Sequence, residues 1–411
     1  MKHPFAALAF LGLAFASAPA VAQVRERIKV GILSDMGGAM SDYAGKRSVD
    51  AARLAIDDFN RAGNPVDVEL LSADSQNKPD VGSSIARRWF DQDGVDVIVD
   101  VPNSAVALAV SQIAKEKDKA LLSTSASSER ITGADCTPNT INWTYSTWAL
   151  ANGTGRAIVR QGGSSWFFVA VDLEYGRSIS EQMRKVVEAS GGKVVGTVKH
   201  PLGTTDFSSY LLQAQTSHAK VIALANGGVD TINTIKEANA FGIVQGGQTL
   251  AATVLYISDV RALGLDVAKG LQFTTAFYWG LNSETRAFAD RFQHASPNNG
   301  KPTQVHSAVY SAVTAYLRSA LELGSAKNGK AVVAGIRNRG WFEDPLFGRT
   351  RVRLDGTVEH AMYLAEVKKP SESSAPYDYY KILDTIPAEQ AFQPEKETGC
   401  PLAGNRATPG Q

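Results

Sequence analysis

Hydrophobic positions along the chain follow two alternating spacings. Short apolar runs rich in β-branched residues, such as IKVGIL at 28–33 and VDVIVDV at 95–101, are typical of buried strands. Segments with apolar residues at helical spacing separate them, beginning with YAGKRSVDAARLAIDDFNRAG at 43–63. Strands that alternate with helices of about 10–15 residues predict an α/β fold, with helices on both faces of a parallel sheet.

The same rhythm restarts after the segment NWTYSTWALANGTG at 142–155. The chain therefore predicts two α/β units in series, without a matching repeat of sequence. Ligands of open α/β sheets bind outside the carboxyl ends of the strands, so two neighbouring units enclose one crevice. Residues 350–367 predict a closing hairpin with its turn at Asp355-Gly356. From Lys369 onward, the Pro, Ser and Glu content predicts an arm that wraps the surface.

Composition narrows the class of protein. The 411 residues are 44% hydrophobic and 20% charged, with a formal net charge of +1. That is enough apolar material for two cores, and the near-neutral charge argues against a nucleic-acid partner. Residues 1–22 predict a secretory signal peptide, because Lys2 precedes a short apolar stretch that ends at the cleavage pattern Ala20-Val21-Ala22. We therefore expect an exported protein in the periplasm.

The two cysteines are Cys136 and Cys400, each in a loop-like context. An oxidising compartment favours a bridge between such a pair, so we expect a disulfide that ties the C-terminal segment to the body. Two free thiols are the alternative.

The chain lacks the common sequence motifs for catalysis and for metal binding. A phosphate loop requires glycine where Met40 stands and Ser or Thr where Arg47 stands. Neither G-x-S-x-G nor H-E-x-x-H occurs in the chain, and the six histidines do not cluster. The sequence therefore predicts no enzyme, no metal site and no cofactor.

Small hydroxyl side chains follow two predicted strands of the first unit. Ser104 comes shortly after the third strand, and the stretch LLSTSASSER at 121–130 places Ser125 and Ser127 after the fourth. Adjacent parallel strands would bring these serines to one point. Several neutral hydrogen bonds there could hold a carboxylate, each worth about 1.5–3 kcal/mol. The alternative is that the serines only cap helices and complete turns.

The order of these segments resembles a known family. The IKVGIL strand, Tyr43 before AG, NSA, STSASSERIT, VDLEYGRS and DFSSYLLQAQ resemble, in that order, type I periplasmic solute-binding proteins of the leucine/isoleucine/valine-binding branch. The resemblance implies two doubly wound parallel-sheet lobes joined by a three-crossover hinge. The implied lobes are 27–146 with 277–350, and 147–276 with 351–385, and residues 386–411 form a tail.

The resemblance also assigns roles to residues. The carboxylate-binding positions of the family fall on Ser104, Ser125 and Ser127, and its lid tyrosines fall on Tyr43 and Tyr175. The family implies closure of the lobes around the ligand and delivery to the permease subunits of an ABC importer. We expect the receptor to act as a monomer.

Departures from the family pattern bear on the ligand. The acidic positions that hold an α-ammonium in amino-acid binders fall near 148–150 and Thr253, and none is acidic here. Because a buried ammonium without a partner is costly, an aromatic acid becomes the preferred ligand, with Trp148 over its apolar body. Branched-chain amino acids remain open if Asp172, Glu174 or Asp230 takes the acidic role. A sensory module or an exported enzyme on the same scaffold also remains open.

Overall fold

A computed structural model describes residues 27–296 and 300–405. The predicted signal peptide lies outside these ranges. The strands are β1 Arg27–Ser34, β2 Asp67–Asp74, β3 Val97–Asp100, β4 Ala120–Ser123, β5 Thr140–Asn142, β6 Ser165–Val171, β7 Lys193–His200, β8 Val221–Ala225, β9 Thr249–Ala252, β10 Gln272–Thr275, β11 Phe342–Asp344, β12 Gly348–Val352, β13 Val358–Glu359, β14 Met362–Val367 and β15 Tyr380–Ile386.

Helices connect most of the parallel strands. They are α1 Lys46–Arg61, α2 Pro79–Arg88, α3 Ser104–Glu116, α4 Thr147–Arg160, α5 Glu174–Ala189, α6 Ser208–Thr216, α7 Val229–Ala240, α8 Ile257–Leu263, α9 Leu265–Ala268, α10 Ser283–Ala295, α11 Gln304–Leu323, α12 Gly329–Asn338 and α13 Ala388–Ala391. No helix in the described part of the chain is both long and apolar enough to cross a membrane.

The first sheet has the order β2-β1-β3-β4-β5, and all its neighbours are parallel. Strands β3 and β4 are buried at every position, as expected for strands that are covered on both faces. Helix packing is close enough to require glycine at one position, because a Cβ on Gly31 of β1 would lie 2.6 Å from the Trp89 ring. The predicted α/β arrangement is confirmed for this half.

The second sheet has the order β15-β14-β10-β9-β8-β6-β7. Its central strands are parallel, and β14 and β15 extend it in antiparallel fashion. Tyr380–Ile386 was expected to belong to a surface arm, but it forms the edge strand β15. The sheet is therefore mixed, because its last two strands come from the end of the chain.

The chain passes three times between the two sheets. It enters the second half between β5 and α4, returns between β10 and α10, and leaves again between β13 and β14. Helices α10 and α11 pack on α1 of the first half, while α4 packs on α5 and β10 of the second. This is the three-crossover arrangement that was predicted. The lobe boundaries themselves remain a prediction.

The predicted closing hairpin is shorter than expected. Strands β12 and β13 pair in antiparallel fashion around Gly356, whose φ of 89° lies in the left-handed region that favours glycine. Together with β11 they form a separate three-stranded sheet, and β14 joins the second sheet instead.

Cys136 and Cys400 form the predicted disulfide. The alternative of two free thiols is wrong, since the structure describes both cysteines and leaves neither free. The disulfide links the segment that follows β15 of the second sheet to the loop between β4 and β5 of the first sheet.

Candidate ligand-binding site

The carboxyl ends of the parallel strands of both sheets face one cavity between the two halves of the chain. Its volume, counted as all space not occupied by atoms and including solvent at the opening, is about 480 Å³. The lining is Met40, Tyr43, Pro102, Asn103, Ser104, Ser125, Ser127, Tyr145, Val171, Leu173, Tyr175, Leu202, Gly227, Asp230, Val254 and Tyr256. We call the side before Ser146 the first wall and the side after it the second wall.

Ser104 supplies a hydroxyl to the first wall. The N-cap of α3 is Asn103, whose Oδ1 accepts from the amides of Ala105 at 3.0 Å and Val106 at 3.3 Å. Ser104 is therefore not needed as a cap. Its Oγ accepts from the Ser127 and Ser128 amides at 3.3 and 3.4 Å, which leaves its own hydrogen for a ligand.

Ser125 and Ser127 differ in their availability. The Ser127 Oγ is buried and has no hydrogen-bond partner among the described residues, which is a costly state unless a ligand or water completes it. The Ser125 Oγ already donates to Asp100 Oδ1 at 3.0 Å. Of these three serines, Ser104 and Ser127 therefore keep a free hydroxyl donor, while the hydroxyl of Ser125 is committed to Asp100.

Strained backbone lies directly before these groups. Asp100 and Val101 have φ values of 82° and 60°, which are unusual for residues other than glycine and most of all for β-branched valine. The buried Asp100 carboxylate accepts hydrogen bonds from Ser34 Oγ at 2.7 Å and Thr124 Oγ1 at 2.9 Å. These hydrogen bonds hold the backbone in its strained conformation between β3 and α3. Strain of this kind persists at binding sites when the surrounding structure stabilises it.

Tyrosines close the cavity from both walls. The Tyr43 ring stacks on Tyr256 with centroids 4.1 Å apart, and the Tyr145 and Tyr256 hydroxyls are 2.6 Å apart. Tyr175 pairs with Thr253 Oγ1 at 3.0 Å. Burial raises the pKa of Tyr43 and Tyr256 well above the usual value, so both phenols stay neutral. The tyrosines provide flat apolar surfaces with hydroxyl donors at their edges.

Asp230 is the only charged residue among the described lining residues. It lies in the first turn of α7, and both of its carboxylate oxygens accept from the Gly203 amide, at 3.0 and 3.2 Å. Burial raises its pKa to about 6. Because no lysine or arginine joins this part of the lining, a ligand anion would depend on neutral donors of the first wall.

Five of the six residues predicted from sequence line this cavity: Tyr43, Ser104, Ser125, Ser127 and Tyr175. Trp148 does not. It follows the first residue of α4, and its amide donates to Glu129 Oε1 at 2.6 Å. We therefore do not retain Trp148 as a ligand contact.

Tyr256, Met40 and Tyr145 also line the cavity, and none of them was assigned to it from the sequence. Tyr256 comes after the four-residue strand β9, and that position was the available signal. Two other aromatic residues of the chain belong to the core, since Trp143 donates to Ser311 Oγ and Phe277 packs on Phe288.

Comparisons with known proteins agree with the fold. The family model described as "Periplasmic binding protein" matches residues 27–373. The Leu/Ile/Val-binding protein homolog 6 of Brucella melitensis is 23% identical over 92% of this chain and 96% of its own length.

Solved structures share the fold over almost the full described chain. A periplasmic binding protein from Burkholderia mallei is 42% identical, with a TM-score of 0.88, covering 92% of this chain and 99% of its own. A branched-chain amino acid transporter ligand-binding protein from Burkholderia xenovorans is 37% identical, with a TM-score of 0.80 and coverage of 92% and 100%. A solute-binding protein from Rhodopseudomonas palustris, in complex with 3,4-dihydroxybenzoic acid, is 18% identical, with a TM-score of 0.78 and coverage of 88% and 98%.

Proposed function

This chain belongs to the periplasmic binding protein family, and on that premise we propose that it captures a small aromatic carboxylate for an ABC importer. Family and fold are those of substrate-binding proteins, not of enzymes, and the family implies a periplasmic location. The observation that carries the proposal is the pair of uncommitted hydroxyls, Ser104 and Ser127, in a cavity walled by neutral tyrosines.

The first wall suits a carboxylate and the tyrosines suit a ring. Hydrogen bonds to a charged group are worth about 1.5–3 kcal/mol each, so two serine hydroxyls suffice to orient an anion. Tyr43, Tyr145, Tyr175 and Tyr256 offer rings around the remaining space. The dihydroxybenzoate complex shares only the fold at 18% identity, so the ligand class depends on the cavity of this chain.

Asp230 favours a second candidate, a branched-chain amino acid. A buried carboxylate opposite the serines could pair with an α-ammonium, and this was one of the residues left open for that role. A ring hydroxyl would satisfy Asp230 equally well. The relatives named for leucine, isoleucine and valine binding make this the rival to test.

Calorimetry on protein stripped of ligand by unfolding and refolding tests the proposal. Benzoate, 4-hydroxybenzoate and leucine should be titrated in parallel. We expect an aromatic acid to bind and to raise the melting temperature by mass action, with leucine weaker. Binding of leucine alone would replace the aromatic proposal with the rival.

Delivery to the permease subunits as a monomer is part of the proposal. A strain lacking the gene should lose uptake of the labelled acid that binds in calorimetry. Uptake that survives, together with a lost transcriptional or motile response to the acid, would favour a sensory role instead.

A further inference from the structure

A second, more open cavity lies where the two halves of the chain meet. Its volume is about 1060 Å³, counted in the same way as for the ligand cavity. Lys46 and Arg47 of α1, together with Lys301, line it from the first half. Arg261 of α8 and Tyr377, between β14 and β15, line it from the second half. Neither half alone forms the cavity.

Its lining carries four cationic side chains and one carboxylate, that of Asp42. Lys301 pairs with Asp290. Arg47 donates to Ser296 Oγ at 3.1 Å, to the carbonyl of Gly300, and to the carbonyl of Lys301 at 3.2 Å. The Arg261 guanidinium lies 5.4 Å from the centroid of the Tyr377 ring and donates no hydrogen bond to any residue that the structure describes. Within residues 27–296 and 300–405, Lys46 and Arg261 form no ion pair. The lining therefore carries more positive than negative charge.

The two guanidinium groups on opposite sides repel each other. Burial lowers the pKa of Arg47 to about 10. Tyr377, Asp50 and Asp42 act in the opposite direction, and the nearby charge of Arg261 adds a smaller lowering effect. An anion placed between Arg47 and Arg261 would turn this repulsion into two attractions.

Tyr377 adds a buried donor without a partner. Its side chain is only 7% exposed, and its hydroxyl forms no hydrogen bond among the described residues. The hydroxyl lies 3.3 Å from the point where a Cβ on Gly300, another lining residue, would stand. The backbone is held at a φ of 68° while the carbonyl accepts from Trp279 Nε1 at 2.8 Å. A buried polar group in this state requires an explanation, and a ligand supplies one.

We propose that this second cavity binds a small oxyanion, with inorganic phosphate as the probe, between Lys46 and Arg47 on one side and Arg261 and Tyr377 on the other. Charge-assisted hydrogen bonds from guanidinium groups to phosphate are short and strong, which matches the donors present. Since both halves contribute donors, the anion favours the arrangement in which the halves meet. This role goes beyond the proposed capture of a carboxylate and does not depend on the identity of that ligand.

Calorimetric titration of the full chain with phosphate, at fixed ionic strength in chloride, tests the site. We expect binding that weakens by about tenfold or more in Arg261→Gln and in Lys46→Gln, and to a smaller extent in Tyr377→Phe. Lys236→Gln is the matched control, because it removes an exposed positive charge on α7 away from this cavity.

Melting temperatures of all four variants should be measured first, so that a folding defect is recognised. Absence of phosphate binding to the parent protein would overturn the proposal. Binding that falls equally in Lys236→Gln would also overturn it, because it would reflect net charge alone. Loss in only one of Lys46→Gln and Arg261→Gln would overturn the bridging arrangement.

Discussion

Each wall of the ligand cavity lies at the carboxyl ends of the parallel strands of its own sheet. The two walls differ in their polar groups. In the first wall, Asp100, Ser125 and Thr124 form a closed hydrogen-bond network that holds Ser104 and Ser127 with free donors. The second wall presents Leu202, Val254 and one carboxylate, Asp230. The proposed function therefore assigns the negative group of the ligand to the first wall and the choice between ligand classes to Asp230 of the second wall.

The largest expected effect breaks the first wall. Ser104→Ala combined with Ser127→Ala removes both free hydroxyls and should weaken carboxylate binding by about 10²–10⁴-fold, from two hydrogen bonds of 1.5–3 kcal/mol. Calorimetry with the best acid of the panel measures the loss. Ser180→Ala is the control, since its Oγ is also buried without a partner but does not line the cavity. Unchanged affinity in the double variant would contradict the assignment of the first wall.

A change in the second wall separates the two ligand classes. Asp230→Asn should reduce leucine affinity by about a hundredfold or more if an ammonium pairs with this buried carboxylate, and should leave benzoate affinity equal or higher. If the affinities for leucine and benzoate fall equally, Asp230 stabilises the folded structure and does not contact the ligand. Ser180→Ala again serves as the control.

The pH dependence of the parent protein gives an independent reading of Asp230. With its pKa at about 6, ionisation should strengthen binding of an amine ligand and weaken binding of benzoate as pH rises through that value. The folded pKa is also above the unfolded value of about 3.9. Asp230 should therefore lower the free energy of unfolding as pH rises from about 4 to about 6. Calorimetry between about pH 5 and pH 7.5 measures the binding trend, and melting between about pH 4 and pH 7 measures the stability trend. Asp230→Asn should abolish both.

The disulfide lies on the side of the first wall. Cys136 lies in the loop that also carries Ser125 and Ser127, and a Cβ on Gly133 in that loop would approach the Thr398 carbonyl to 2.6 Å. Replacing Cys136 and Cys400 by serine should cost about 2–5 kcal/mol of the free energy of unfolding. Urea denaturation measures this cost. A loss of ligand affinity at a temperature where the variant is fully folded would show that the disulfide also positions the serines.

Sequence patterns predicted the first wall better than the second, for physical reasons. Ser104 and Ser127 follow buried strands whose apolar runs are easily recognised, so their shared edge could be inferred. Trp148 is the second residue of α4, which begins at Thr147. The side of the helix on which its side chain lies depends on the residue at which the helix begins, and a resemblance to a family does not determine that residue. Tyr256 reaches the cavity through its stacking on Tyr43 across the two halves, a contact that only the tertiary arrangement creates. The antiparallel pairing of β14 and β15 in the second sheet depends on contacts between distant parts of the chain, and so does the hydrogen bond from Ser125 to Asp100. Neither produces a local sequence pattern.

The smallest expected effect on binding distinguishes support from contact within the first wall. Ser125→Ala removes the 3.0 Å hydrogen bond to Asp100 Oδ1 but no free donor, because this hydroxyl is already committed. Ligand affinity should change by less than about tenfold, whereas the free energy of unfolding should fall by about 1–3 kcal/mol as the buried carboxylate loses a partner. Urea denaturation and calorimetry on the same preparation give both quantities. If Ser125→Ala instead matches the affinity loss of the Ser104→Ala and Ser127→Ala pair with no loss of stability, its hydroxyl must turn from Asp100 to the ligand, and the first wall would hold the anion with three hydroxyls.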